Sequence, residues 1–277
     1  MGNVEEEKIT EAIERVARAP KYSQIHIDTI ADIVRREAPY AQNTADLERR
    51  VRLRLHKVVA GYLVTGRPAR LLRGLDEAIP AGPDAVRTWC RTVLAAHISS
   101  AERLPDLDRF YPAILDLTGP VSSVADLACA LNPLTMPWLR QNTTAQYTGY
   151  DLNLSYVKIC AEFLARTATA ATVRHHDVLV RPEEIYADLV LLLKTYHCME
   201  DRASGAALRL VELIPASFVV VSFPVRTMSG RIAHFTRRHT DELAALAAAR
   251  HWELRRASLA NEELVVIVKK DDRGSHD

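Results

Sequence analysis

A chain of 277 residues, 48% hydrophobic and 26% charged, has room for one large core plus a smaller extension and is composed like an ordinary folded protein. No run of about 18 apolar residues occurs, and Met1-Gly-Asn-Val-Glu-Glu-Glu is no basic-then-apolar leader, so neither a membrane span nor a secretory signal is expected. The net charge of +1 decides little by itself; Cys90, Cys129, Cys160 and Cys198 lack metal-ligand spacing and fit reduced thiols in a cytoplasmic protein.

Residues 1–75 read as helical. Ile9, Ile13 and Val16 form the apolar stripe of a first helix over Val4 to Ala17, broken at Pro20. A second is expected from Ile27 to Glu37, with Asp28 as its N-cap and Pro39 beyond its end. Thr44 is expected to cap a third, with Leu47, Val51, Leu55, Val58 and Val59 on one face and Arg50, Arg54 and Lys57 on another. From Arg49 to Arg73 the chain carries Arg49, Arg50, Arg52, Arg54, Lys57, Arg67, Arg70 and Arg73 with no intervening acid. Such a block in a nearly neutral protein points to a polyanion.

Glycines and prolines between Gly74 and Pro83 mark a boundary, giving an extension over 1–75 and a second unit over 76–277. A helix from Pro83 to His97 leads to Arg103, which is placed to pair with a carboxylate, although taken alone it reads as a surface arginine. A helix through Phe110, Tyr111 and Leu115 then ends at Gly119. The stretch Ser122 to Pro133 reads as a buried strand ending in Asp126, a turn of small residues, and a helix over Pro133 to Arg140. Ala128 and Ala130 let a ligand approach the backbone, and the amides after them are expected to be free donors. Gln146 to Asp151 and Val173 to Asp177 are further acid-tipped strands, and an acid so placed holds ribose hydroxyls. Asp188 to Lys194 is a continuous apolar run of the kind buried on both faces of a parallel sheet. Helices are expected over Asn153 to Thr167, Pro182 to Tyr186, Ala203 to Ile214 and Thr236 to Ala249, with a fifth strand from Ser217 to Phe223. Trp252–Leu259 and Glu263–Lys270 are separated too briefly for a crossover, so they close the sheet as an antiparallel hairpin. The expected fold is α/β: a Rossmann-like sheet ending in a hairpin, with an all-helical N-terminal extension. Carboxylates at the strand tips and a turn without glycine disfavour a diphosphate and suit S-adenosylmethionine.

Several blocks together resemble one family: Lys21-Tyr22, Arg54-Leu-His-Lys57, Ser100-Ala-Glu-Arg-Leu-Pro105, Asp126-Leu-Ala-Cys-Ala-Leu-Asn-Pro133, Leu192-Leu-Lys194, and Val221-Ser-Phe-Pro224 through Gly230-Arg231. The chain resembles the aminoglycoside-resistance 16S rRNA methyltransferases that modify N7 of guanine 1405. The resemblance implies an S-adenosylmethionine-dependent methyltransferase domain and a helical RNA-binding extension acting on 16S rRNA in the assembled 30S subunit, as a monomer. It implies cofactor contacts from Arg103, Asp126, Ala128, Ala130, Asp151, Leu152, Asp177, Val178 and Lys194. Within that set, Arg103 would hold the carboxylate, Asp151 the ribose and Asp177 the adenine, with Leu152 and Val178 on either side of the base. Lys21, Arg52, Arg54, Lys57, Arg226 and Arg231 would contact RNA. Two positions depart from the family pattern. Alanine stands at Ala130 where glycine is usual, which strains a backbone needing positive φ. Thr195-Tyr196-His197 replaces a Leu-Pro continuation after Lys194.

Guanine N7 has an available lone pair, so no general base is nominated; catalysis is positioning and extrusion of the base. Tyr196 or Phe223 could stack on that base, or belong to the core. His175, His176 and His197 lack the spacing of a closed metal site. A methyltransferase for another rRNA base or a small molecule, and a non-catalytic 30S-binding homologue, are the alternatives.

Overall fold

Seven strands, β1 (Ser123–Leu127), β2 (Gln146–Asp151), β3 (Ala171–His175), β4 (Leu189–Leu193), β5 (Phe218–Pro224), β6 (Glu253–Ser258) and β7 (Glu262–Val268), form one sheet. Their order is β3-β2-β1-β4-β5-β7-β6. The computed structural model describes residues 2–59, 71–225 and 234–269. Strands β1 to β5 run parallel, and β7 enters antiparallel between β5 and β6. The expected hairpin is therefore present. Strand β4 shows why an unbroken apolar run is central: Leu189, Leu191 and Leu193 enter one core and Val190 and Leu192 the other.

Helices cover both faces. On one side lie α4 (Pro83–Leu94), α5 (Leu107–Thr118) and α6 (Leu154–Arg166); on the other lie α7 (Tyr196–Arg202), α8 (Ala206–Leu213) and α9 (His234–Ala249). Upstream, α1 (Gly2–Arg18), α2 (Ile27–Glu37) and α3 (Thr44–Val59) close around Val16, Ile30, Val34, Val51 and Leu55. This small core meets the sheet through backbone: His26 N donates to Leu152 O at 2.8 Å and Leu154 N to Gln24 O at 2.7 Å.

Several local expectations are corrected. His26, not Asp28, caps α2, its ring nitrogen accepting from Asp28 N. Asn43, not Thr44, caps α3, accepting from Asp46 N while Asp46 accepts from Gln42 N. The helix expected over Pro133 to Arg140 is a 3-10 turn, Asn132–Thr135, then one turn of α-helix, Met136–Leu139. Pro133 and Pro137 lack the amide that a continuous helix needs. Between β3 and β4 only a 3-10 turn forms, Pro182–Glu184, because Tyr186 is exposed and no apolar stripe exists to dock a helix. The span Ala203 to Ile214 begins later, at Ala206, where Gly205 takes φ 74 and Glu200 accepts from Gly205 N and Ala207 N. A separate helix, α7, precedes it.

Candidate functional site

Strand order reverses between β1 and β4, and a cleft opens beyond their carboxyl ends. In an open α/β sheet that switch point is where ligands bind. About 1030 Å³ of space free of protein atoms lies in and in front of the cleft, open solvent included. Arg103, Asp126, Ala128, Ala130, Asp151, Leu152, Asp177, Val178 and Lys194, nominated from far-apart segments, all line it.

Burial changes what each can do. Arg103 is no surface arginine: it is 6% exposed and lies 4.4 Å over the Phe110 ring. Its Nε and Nη2 donate to the two carboxylate oxygens of Glu262 at 2.8 and 3.1 Å, and Nη1 donates to Asn132 Oδ1 at 2.9 Å. A guanidinium has five N–H donors, so two remain for the cleft. Lys194 Nζ lies 2.7 Å from Glu102 and 3.1 Å from Glu262. Asn132 passes the network on, donating to Asp126 Oδ2 at 2.6 Å, an oxygen that also accepts from Tyr147 OH. The other oxygen, Asp126 Oδ1, is buried without a partner among the described residues. Burial pushes the Asp126 carboxyl up to about 6, although Tyr147, Asn132 and Arg103 oppose the shift.

Asp151 accepts from Asn153 N on one oxygen and from Ala130 N on the other, at 2.7 and 2.8 Å. Burial raises it too, to about 6; the two amides lower it, and the charges of Asp126 and Asp177 add to the rise. The amides expected to be free are therefore committed: Ala130 N to Asp151 and Cys129 N to Tyr150 O. Asp177 accepts from Leu179 N, Thr29 Oγ1 and Arg202 Nη1.

Among the described residues, five non-glycine residues have positive φ, and three of them (Ala128 at 54°, Ala130 at 43° and Lys194 at 58°) border this cleft. Left-handed backbone costs an L-residue about 1–2 kcal/mol, and such strain gathers at ligand sites. Ala130→Gly is expected to relieve it, less the ~0.5–1 kcal/mol that glycine loses on ordering. A melting temperature raised by about 1–3 °C would register the gain.

The basic face is partly neutralised from just upstream. Arg49 and Arg50 pair with Asp46, Arg52 with Glu48, and Arg54 with Glu37 at 2.8 Å. Lys21 Nζ lies 3.1 Å from His56 Nδ1, and Lys57 is exposed. Arg67, Arg70, Arg226 and Arg231 lie outside the described residues. Tyr196 and Phe223 are fully buried at 0% exposure, so they belong to the core rather than to a base-stacking platform. Sequence reasoning missed Asn132, Arg202 and Glu262; only Asn132 lay within a motif already singled out.

Sheet order, switch-point cleft and strand-tip acids beside a glycine-free turn are those of a Rossmann-like domain with a cleft for a nucleoside-containing ligand, and its family makes the chain an S-adenosylmethionine-dependent methyltransferase. The profile described as "Ribosomal RNA methyltransferase (FmrO)" matches residues 18–267. The chain belongs to that family. It is 30% identical over 276 residues to a 16S rRNA (guanine(1405)-N(7))-methyltransferase of Frankia casuarinae, covering 96% of this chain and 95% of the relative. A protein of the same name from Micromonospora echinospora is 28% identical over 95% of this chain and 98% of its own. The crystal structure of the 16S rRNA methyltransferase RmtF in complex with S-adenosyl-L-homocysteine superposes with a TM-score of 0.77 at 22% identity, covering 95% of this chain and 99% of that one, which shows the shared fold.

Proposed function

We propose that this enzyme methylates N7 of guanine 1405 of 16S rRNA within the assembled 30S subunit and thereby confers aminoglycoside resistance. The observation that carries the reading is the cleft itself: strand-tip acids and a buried arginine with unused donors, at the switch point, beside a helical unit with a basic face. The residues present fit S-adenosylmethionine. Asp126 Oδ1, buried and unpartnered, is an acceptor awaiting a donor, which the α-ammonium of the methionine part supplies. Arg103 lines the same cleft as Asp126, and its two spare N–H groups take the carboxylate. Asp151 keeps lone pairs for ribose hydroxyls after serving two amides. Leu152, Asp177 and Val178 take the adenine, and Ala128, Ala130 and Lys194 close the walls. When bound, the cofactor supplies an electrophilic methyl on sulfur. Guanine N7 supplies the electron pair, so the chain needs no base, and its task is to hold donor and acceptor in line. The 1–75 extension grips RNA phosphates through Lys21, Arg52, Arg54 and Lys57, joined by Arg226 and Arg231.

Labelled methyl transfer to intact 30S subunits, followed by mapping of the modified base, tests the reading. Label at N7 of guanine 1405, with none on free guanosine, is expected; label at another base overturns it. Reversing Arg52 and Arg54 to glutamate should weaken 30S binding at least tenfold, flatten its salt dependence and spare cofactor affinity.

The raised carboxyls give a pH signature with two signs. A raised folded-state value stabilises fully below the ordinary carboxylate range and loses that contribution as pH rises through about 6. The ligand-free protein therefore gains stability from Asp126 and Asp151 as pH falls from 7 toward 4. Cofactor binding uses their ionised forms and weakens over the same interval, by about tenfold per pH unit below 6 for one such group. Calorimetry with S-adenosylhomocysteine and melting curves at pH 5 and 7.5 would read both trends.

A further inference from the structure

We infer that Arg202 is a positioning residue that makes cofactor affinity depend on the helical extension, so that cofactor and RNA sites are energetically linked. The inference rests on assigning the cleft to S-adenosylmethionine. Arg202 closes α7 with its side chain only 4% exposed, and its guanidinium spans two acids on different units. Nη1 donates to Asp177 Oδ2 at 2.6 Å, in the cleft wall, while Nη2 donates to Asp32 Oδ2 at 2.9 Å, on α2. The same Asp177 oxygen accepts from Thr29 Oγ1 of α2 at 2.5 Å. The second Asp177 oxygen accepts from Leu179 N and so fixes the turn that carries Val178.

Asp177 and Arg202 line the cleft, whereas Thr29 and Asp32 do not. The adenine side of the site is thus set by two side chains of the extension that do not line the cleft. Val58 of α3 also reaches the cleft wall, and the extension's backbone is bonded to Leu152 itself through His26 N and to Leu154 through Gln24 O. A shift of α2 on binding RNA would be felt at Asp177 through a planar fork that a lysine's point charge cannot replace. Linkage then requires the converse: bound cofactor changes the affinity of the extension for RNA by the same factor.

Asp32→Asn and the near-isosteric Thr29→Val break the clasp from outside the cleft, and Arg202→Lys keeps its charge but loses its span. Calorimetry with S-adenosylhomocysteine on the full chain should show each variant binding at least about fivefold more weakly than wild type. The ratio of 30S affinities with and without S-adenosylhomocysteine should exceed about fivefold in wild type and collapse toward unity in Asp32→Asn and Thr29→Val. A residue that merely held the fold would lower the melting temperature and leave that ratio unchanged. Variants that bind S-adenosylhomocysteine within twofold of wild type, or that keep the wild-type ratio, overturn the inference while leaving the cofactor assignment standing. A folded wild type that ignores S-adenosylhomocysteine overturns both.

Discussion

Asp151→Ala is expected to weaken S-adenosylhomocysteine binding by at least about a hundredfold, because each hydrogen bond to a charged acceptor contributes about 1.5–3 kcal/mol and two ribose hydroxyls lose theirs. The substitution also reaches the protein's own backbone. Asp151 also holds Ala130 N, in the strained turn after β1, and Asn153 N, at the cap of α6. Alanine leaves both amides without their acceptor at a cost of about 1–3 kcal/mol each, so the variant should stay folded but melt several degrees lower. Asp151→Asn should fall between: its carbonyl serves one amide, but its NH₂ then faces the other as donor against donor. Isothermal titration and melting curves on the two variants separate the effects. Undiminished affinity in Asp151→Ala would sink the ribose assignment.

What was legible followed the short-range physics. Strand β2 falls where the acid-tipped run places it, β4 where five consecutive apolar residues demand burial on both faces, and the final hairpin where the linker is too short to cross over. Local cues failed where partners lie far along the chain. Thr29 and Asp177 are 148 residues apart, Arg103 and Glu262 are 159, and Asp32 and Arg202 are 170. No periodicity marks such pairs. The basic run is less bare than its own residues show, since a count from Arg49 to Arg73 stops just short of the acids at Asp46 and Glu48 and omits Glu37 across the helix pair. Ala130 was legible as a position needing glycine-like backbone, and its φ of 43° is where the departure from the family pattern places it.

Glu262 shows how much a single unflagged acid can carry. It opens β7, opposite Pro224 of β5, with its side chain only 2% exposed. Burial alone would raise its carboxyl, but Arg103 and then Lys194 outweigh that and hold it below the ordinary range. A depressed folded-state value stabilises above the ordinary glutamate range and loses that contribution as pH falls through the lower value, so this contribution vanishes only in acid. Removing the carboxylate at neutral pH is a different matter. Glu262→Ala takes away the one carboxylate that Arg103 and Lys194 share, leaving Arg103 with the Asn132 amide oxygen and the Phe110 ring, and Lys194 with the half-buried Glu102 and the Ser99 carbonyl. Breaking one partner of a buried pair costs about 3–5 kcal/mol, more than the pair contributes over an apolar replacement, because the stranded charge remains desolvated. The expected fall in melting temperature is on the order of 10 °C. Arg103 also loses the carboxylate that fixes its fork, so S-adenosylhomocysteine affinity should drop with stability. Glu262→Gln, which keeps the shape and one acceptor, should recover part of each. If Glu262→Ala melts within about 2 °C of wild type, water or Glu102 takes over the stranded charges, and the buried network is not what fixes Arg103 in the cleft wall.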